Sequence, residues 1–385
     1  MPSLFRSARW LAILFFFCTT ATQAQKLYYP DTLWQTKTPA EMKLNAALID
    51  SAVQFALRNE VKMETDLRIA NMKAYSREPG YRILGPVKER GRPAGLIIKN
   101  GYIVARWGDV DRVDMTFSAA KSYLSTVAGL AVDARLLRSI DDSVARYVWD
   151  ETFEGEHNKK ITWRHLLNQS SDWSGCLFGI CDWADRPPRT GSIDDWRARK
   201  LNEPGTVYKY NDVRVNVLAY ALLQVWRKPL PTVFKEKIMD PIGASTTWRW
   251  YGYENSFVNV DGLMIQSVSG GGHFGGGLFI NTYDHARFGL LFARRGRWQE
   301  KQLLSERWVA SVTEPSLANK NYGLLWWVNN DEHLGKLSKT VYAAEGFGGN
   351  FIVVDSKNDL VIVTRWLEPN KIGEMVDWVQ KAIGK

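Results

Sequence analysis

The sequence predicts a mixed α/β fold of the α+β kind: a central antiparallel sheet flanked by terminal helices, plus a mostly helical lobe. Three observations carry this. GLIIKNGYIVARWG sets two apolar, β-rich runs around Asn100-Gly101, the strongest short hairpin signal. GGNFIVVDSKNDLVIVTRW near the C-terminus repeats the pattern, with Phe351–Val354 and Leu360–Thr364 around a polar turn. Between them, from about 120 to 250, apolar residues recur at helical spacing. Lone hairpins are marginal in water, so the two hairpins are expected to share one sheet.

In chain order, residues 1–24 read as a secretory signal. Arg6 and Arg9 precede the apolar run LAILFFFC, and small residues follow, with cleavage expected after Ala24. The run is too short to span a bilayer, and Phe15–Phe17 before Cys18 do not suit a lipoprotein box. Residues 25–385 then read as one unit exported to the periplasm or beyond. LNAALIDSAVQFAL is an early helix. After the first hairpin come SYLSTVAGLAVDARLL, TWRHLLNQ, SIDDWRARKL and NVLAYALLQVW, all with helical spacing. GGGHFGGGLFINTYDHARFGLLFARRG returns through a glycine-rich strand into a helix. KIGEMVDWVQKAIG is an amphipathic closing helix.

The 385 residues are 45 % hydrophobic and 24 % charged, as in globular chains. Net charge is +9, but it is dispersed. No basic stripe with interleaved aromatics or nucleic-acid motif is present, so nucleic-acid binding is excluded; mild attraction to anionic polymer is the most the charge implies. Most of the seventeen Trp read as packing, with a few available to line a groove. Cys18 leaves with the signal. Cys176 and Cys181 are expected to pair in an oxidising compartment; no cluster with metal-ligand spacing accompanies them, and no cofactor is implied.

The chemistry concentrates in FSAAKSYLST. Ser118 opens a helix, near free N–H groups and the positive end of the dipole. Lys121, three residues on, lies on the same face. A serine hydroxyl needs a base, and a lysine serves if burial or a neighbouring cation lowers its pKa. On its own the pair reads as an ordinary N-cap serine beside a surface lysine, since Ser-x-x-Lys is common. Ser122 lacks such a partner, and Ser125 lies deeper in the helix.

Further motifs follow: ITWRHLLNQSSDW, then EPGTVYKYNDVRVNVLAYALL, with Pro204-Gly205 preceding Tyr210-Asn211-Asp212. Over roughly residues 90–370 this order resembles the serine β-lactamase and penicillin-binding-protein superfamily, whose signature is Ser-x-x-Lys. The class C β-lactamase branch, with its D,D-peptidases and esterases, is most similar. The resemblance implies a β-lactamase-like fold, with Ser118 as nucleophile and Lys121 and Tyr210 as proton-transfer groups. Asp212 stands where Asn is usual; it accepts hydrogen bonds but cannot donate, and would hold Lys121 charged. The family's Lys or His, small residue and Gly fall on Ala344, Glu345 and Gly346, so the cation that holds a substrate carboxylate is missing. The backbone N–H groups of Ser118 and Phe347 would form the oxyanion hole. Glu345 and Gly346 would border the substrate, and Glu345 would repel an anion.

This implies an exported serine hydrolase acting through an acyl-enzyme on a small ester, amide or peptide-like substrate. A true β-lactamase or D,D-peptidase would need its clamp from elsewhere, such as Arg214 or an arginine of another loop. A binding protein for cell-wall or peptide ligands is the remaining alternative, disfavoured by the intact Ser118, Lys121 and Tyr210. The glycines of Gly271–Gly277 are not a nucleotide loop and read as close backbone packing near the site. His273 is read as structural, though within reach of substrate; His165 and His285 read as packing or surface groups. The Cys176–Cys181 loop, between Trp173 and Trp183, is a candidate wall of the cleft.

Overall fold

The computed structural model describes residues 27–384; the expected signal segment lies outside them. The helices that matter for the site are α1 (Ala46–Arg58), α2 (Leu67–Tyr75), α3 (Ala120–Asp133), α4 (Asp212–Trp226), α5 (Thr282–Ala293) and α6 (Ile372–Ala382). The strands are β1 (Ala94–Lys99), β2 (Tyr102–Trp107), β3 (Arg249–Val260), β4 (Leu263–Val268), β5 (Gly277–Ile280), β6 (Tyr322–Gly323), β7 (Trp326–Val328), β8 (Val341–Gly346), β9 (Asn350–Asp355) and β10 (Leu360–Arg365).

The two expected hairpins do share one sheet. It has seven strands in the order β6-β7-β8-β9-β10-β1-β2, with every neighbouring pair antiparallel. Asn100 and Gly101 turn the first hairpin at φ 52° and 86°, the left-handed pair that a two-residue turn requires. Period-two alternation splits β10 between two cores. Leu360 and Ile362 join the face covered by α1 and α6, with Ala52, Ala56, Met375 and Val379. Val361 and Val363 join the opposite core with Leu290 of α5 and Tyr123 of α3.

Helix α3 is buried on every side from Ala120 to Ala131, as a helix inside a core must be. One part of the fold departs from expectation. Beyond residue 248 the chain forms a β3–β4 hairpin turned at Asp261-Gly262, both at positive φ. It belongs to a second sheet in which β5 joins β3 to the short strand Asp114–Met115. Thr116, next along the chain, leads straight into the turn that carries Ser118.

Candidate active site

Phe117–Ala119 form a single 3₁₀ turn that runs into α3. Phe117 adopts φ 49°, a left-handed conformation that an aromatic residue holds only when its surroundings impose it. They do: its ring is buried edge-on against Phe347 and Trp366, and Gly271 sits so close that a Cβ there would lie 1.9 Å from Phe117 O. The glycine-rich segment is thus close packing beneath the turn. Ser118 is left part-exposed.

Lys121 lies beneath it, 1 % exposed. Its Nζ donates to Ser118 Oγ at 2.9 Å and to Gly270 O at 3.3 Å, and meets Asp212 Oδ1 at 2.7 Å. Burial pushes its pKa down, more than Asp212 pushes it up. Tyr210 presents its ring 5.0 Å from the same Nζ. Burial and the charge of Asp212 raise its pKa, against hydrogen bonding with Ser118 and the cation of Arg186. The phenol is therefore held protonated.

Asp212 opens α4, immediately after its N-cap Asn211. It meets three cationic groups: Lys121, Arg186 Nη1 at 2.8 Å from Oδ2, and His273 Nδ1 at 3.0 Å. Burial alone would raise its pKa, but Arg186, Lys121 and His273 outweigh that and hold it well below the usual carboxylate range. His273 Nε2 meets Glu78 at 2.7 Å. Burial opposes its charge, but these two carboxylates raise its pKa. His273 is buried and stacked on Tyr75, a member of the network that surrounds Asp212. Asp185 accepts from Arg186 Nη1 at 2.7 Å and from the N–H of Asp212.

The opposite wall is β8. Its partner β7 pairs only with Tyr342 and Ala343, so the Ala344–Gly346 end lies open to the nucleophile turn. A Cβ on Gly346 would lie 2.0 Å from Thr116 O and 3.1 Å from Ala119 N; only glycine lets the strand come this close. Phe347 follows directly. Ala344 is fully buried in the core. Glu345 is part-exposed and meets His333 Nε2 at 3.1 Å. His333 stacks on Trp327, which lies parallel to the Tyr210 ring.

A family model described as Beta-lactamase matches residues 89–367. The chain belongs to the beta-lactamase family. Its fold is that of the family's solved members. One such structure, "EstCE1, a hydrolase with promiscuous acyltransferase activity", has a TM-score of 0.58 at 16 % identity, covering 88 % of this chain and 99 % of that one. A beta-lactamase/D-alanine carboxypeptidase from Pseudomonas syringae has a TM-score of 0.52 at 14 % identity, covering 86 % and 98 %. In sequence, an Escherichia coli O157:H7 protein named "Putative D-alanyl-D-alanine carboxypeptidase" is 24 % identical, covering 70 % of this chain and 76 % of that protein.

Arg214 and Trp173 depart from expectation within this beta-lactamase-family site, while the histidines and the cysteine pair fall within it. Arg214 is no clamp: it is 1 % exposed and bound to Asp172 and Asp182 at 2.5 and 3.0 Å. Ser125 is fully buried in α3, and its Oγ makes no hydrogen bond. Trp173 is core, its indole donating to Thr152 O. Trp183 instead lines, with Arg186, a cavity of about 530 Å³. His165 completes a capping box with Thr162 on the helix Trp163–Leu167, and His285 is buried against the Tyr123 hydroxyl. Cys176 and Cys181 are disulfide-bonded across a two-strand ladder.

Sequence reasoning missed Arg186, Asp185, Glu78, His333 and Trp327. One signal was available: an aspartate in place of asparagine beside a lysine calls for another cation. Nothing in spacing singles out Arg186 for that part.

Proposed function

We propose that residues 25–385 form an exported serine hydrolase that acts on esters or small amides through an acyl-enzyme on Ser118. The observation that carries this reading is the buried Lys121 Nζ, 2.9 Å from a part-exposed Ser118 Oγ. Neutral Lys121 takes the Ser118 proton as Oγ attacks the substrate carbonyl. The oxyanion that forms is held by the N–H groups of Ser118 and Phe347. Collapse breaks the ester or amide bond. The leaving oxygen or nitrogen takes a proton from Tyr210, which recovers one from Lys121. Water then attacks the acyl-enzyme by the same route in reverse, releasing the acid and free Ser118.

Substrate preference follows from β8. With alanine at 344 and a carboxylate at 345, a substrate with an obligatory carboxylate at that strand is disfavoured. The D-alanyl-D-alanine carboxypeptidase and beta-lactamase names among the relatives are therefore weaker guides than hydrolases of neutral esters. A neutral or cationic group suits Glu345.

Intact mass after incubation with a fluorophosphonate tests the nucleophile. One adduct is expected on the wild type and none on Ser118→Ala. No adduct on folded wild type overturns the reading. Short-chain esters are then expected to turn over at least about tenfold faster, by kcat/KM, than penicillins.

A further inference from the structure

Asp212 poses a problem for the reading just given. A carboxylate 2.7 Å from Lys121 Nζ favours the ammonium, and an ammonium cannot accept the Ser118 proton. The structure answers with a second cation. Arg186 Nη1 bridges Asp212 Oδ2 and Asp185 Oδ1 at 2.8 and 2.7 Å. Its guanidinium lies over the rings of Tyr75 and Tyr210, 5.6 and 5.2 Å from their centroids. Asp212 thus has Lys121 on one oxygen and Arg186 on the other.

We propose that Arg186 is a positioning residue that neutralises Asp212, so that Lys121 can give up its own proton and serve Ser118. The inference rests on the acyl-enzyme reading. It makes the need for Arg186 conditional on the carboxylate of Asp212.

The charged groups around Lys121 come from every side. Asp212 and Tyr210 lie at the start of α4, and Asp185 and Arg186 on the loop before it. His273 reaches Asp212 from the glycine-rich segment, and Glu78 backs His273 from the chain after α2. Tyr75 stacks on His273 under the Arg186 guanidinium, and Glu345 acts on Tyr210 from β8. Arg186 is the cation that Asp212 and Asp185 share. Without it, the buried Asp212 is left to Lys121 and His273, and the proton stays on Lys121. Lysine at 186 keeps the charge but loses the planar fork. Asparagine at 212 removes the need for the charge.

The test is the rate of fluorophosphonate labelling of Ser118 against pH, followed by intact mass, with folding checked by circular dichroism. The probe is uncharged, so binding of a substrate carboxylate does not enter. Arg186→Gln is expected to label about tenfold or more slowly at pH 7, with the acid limb of the profile moved up by about one unit or more. Arg186→Lys is expected to recover most of the rate. In an Asp212→Asn background, Arg186→Gln is expected to cost less than about threefold, a clear departure from additivity. That double variant carries no unpaired aspartate at 212, so it stays informative if Arg186→Gln alone fails to fold. An unmoved pH profile, or additive losses, overturns the pairing. So does unchanged labelling with a defect confined to anionic substrates, which would make Arg186 a substrate clamp. Absence of labelling on the wild type instead removes the acyl-enzyme reading itself.

Discussion

At the scale of single residues, the site depends on close approaches that leave no room for a side chain. Gly346→Ala drives a methyl into Thr116 O. About 1–3 kcal/mol of destabilisation is expected, together with at least about a hundredfold loss of esterase rate, because β8 and the nucleophile turn must separate. Thermal melts and ester kinetics read the two effects apart. The Ser118–Lys121 pair was legible because helical spacing alone puts the two side chains on one face. Arg186 was not legible, because a loop arginine 26 positions from Asp212 has no periodicity to place it. Phe117's left-handed backbone was equally hidden, since it is imposed by Gly271, Phe347 and Trp366 from three distant segments.

At the scale of elements, α4 is held at its N-terminus by the residue between Tyr210 and Asp212. Asn211 is fully buried; its Oδ1 accepts from the N–H of Arg214, and its Nδ2 donates to Asp182 O. Asn211→Ala loses a cap worth about 1 kcal/mol and orphans a buried carbonyl at about 1–3 kcal/mol more. Chemical denaturation is expected to show a combined loss of about 2–4 kcal/mol, with labelling of Ser118 slowed because both neighbours move. The hairpins at either end of the chain were read correctly from turn chemistry and alternation. The β3–β4 hairpin was not, although Asp261-Gly262 carries the same kind of signal as Asn100-Gly101. Its strand is interrupted by Gly252 and a register shift, which breaks the alternation the eye follows. That miss matters for the site, since β4 leads to Gly270, whose carbonyl accepts from Lys121.

At the scale of the whole molecule, buried ion pairs set how the fold responds to acid. Burial raises the pKa of Asp172, but Arg214, Asn202 and Arg199 bring it down to about 2. Asp212 is likewise held low. Carboxylates with depressed folded-state pKa values contribute stability that is complete above their unfolded values and is lost as pH falls through the folded ones. The melting temperature is therefore expected to hold down to about pH 4 and to drop between about pH 4 and 2. In Arg214→Met, which leaves Asp172 and Asp182 to share Arg199, melting at pH 7 is expected to fall by the equivalent of about 2–3 kcal/mol. Among the described residues no helix is long and apolar enough to cross a membrane.

The disulfide between Cys176 and Cys181 has a consequence for handling the protein. Its second arm runs on through Asp182, which both Arg199 and Arg214 grip, to Asp185 and Arg186 four and five residues beyond the bond. Cys176 is exposed, so a reductant can reach it. The bond thus tethers, from the surface, the loop that brings the counter-cation to Asp212. Protein produced in a reducing cytoplasm, or treated with a dithiol, is expected to be less stable by about 2 kcal/mol and to acylate more slowly, while remaining folded. Counting free thiols in each batch would then sort preparations by specific activity.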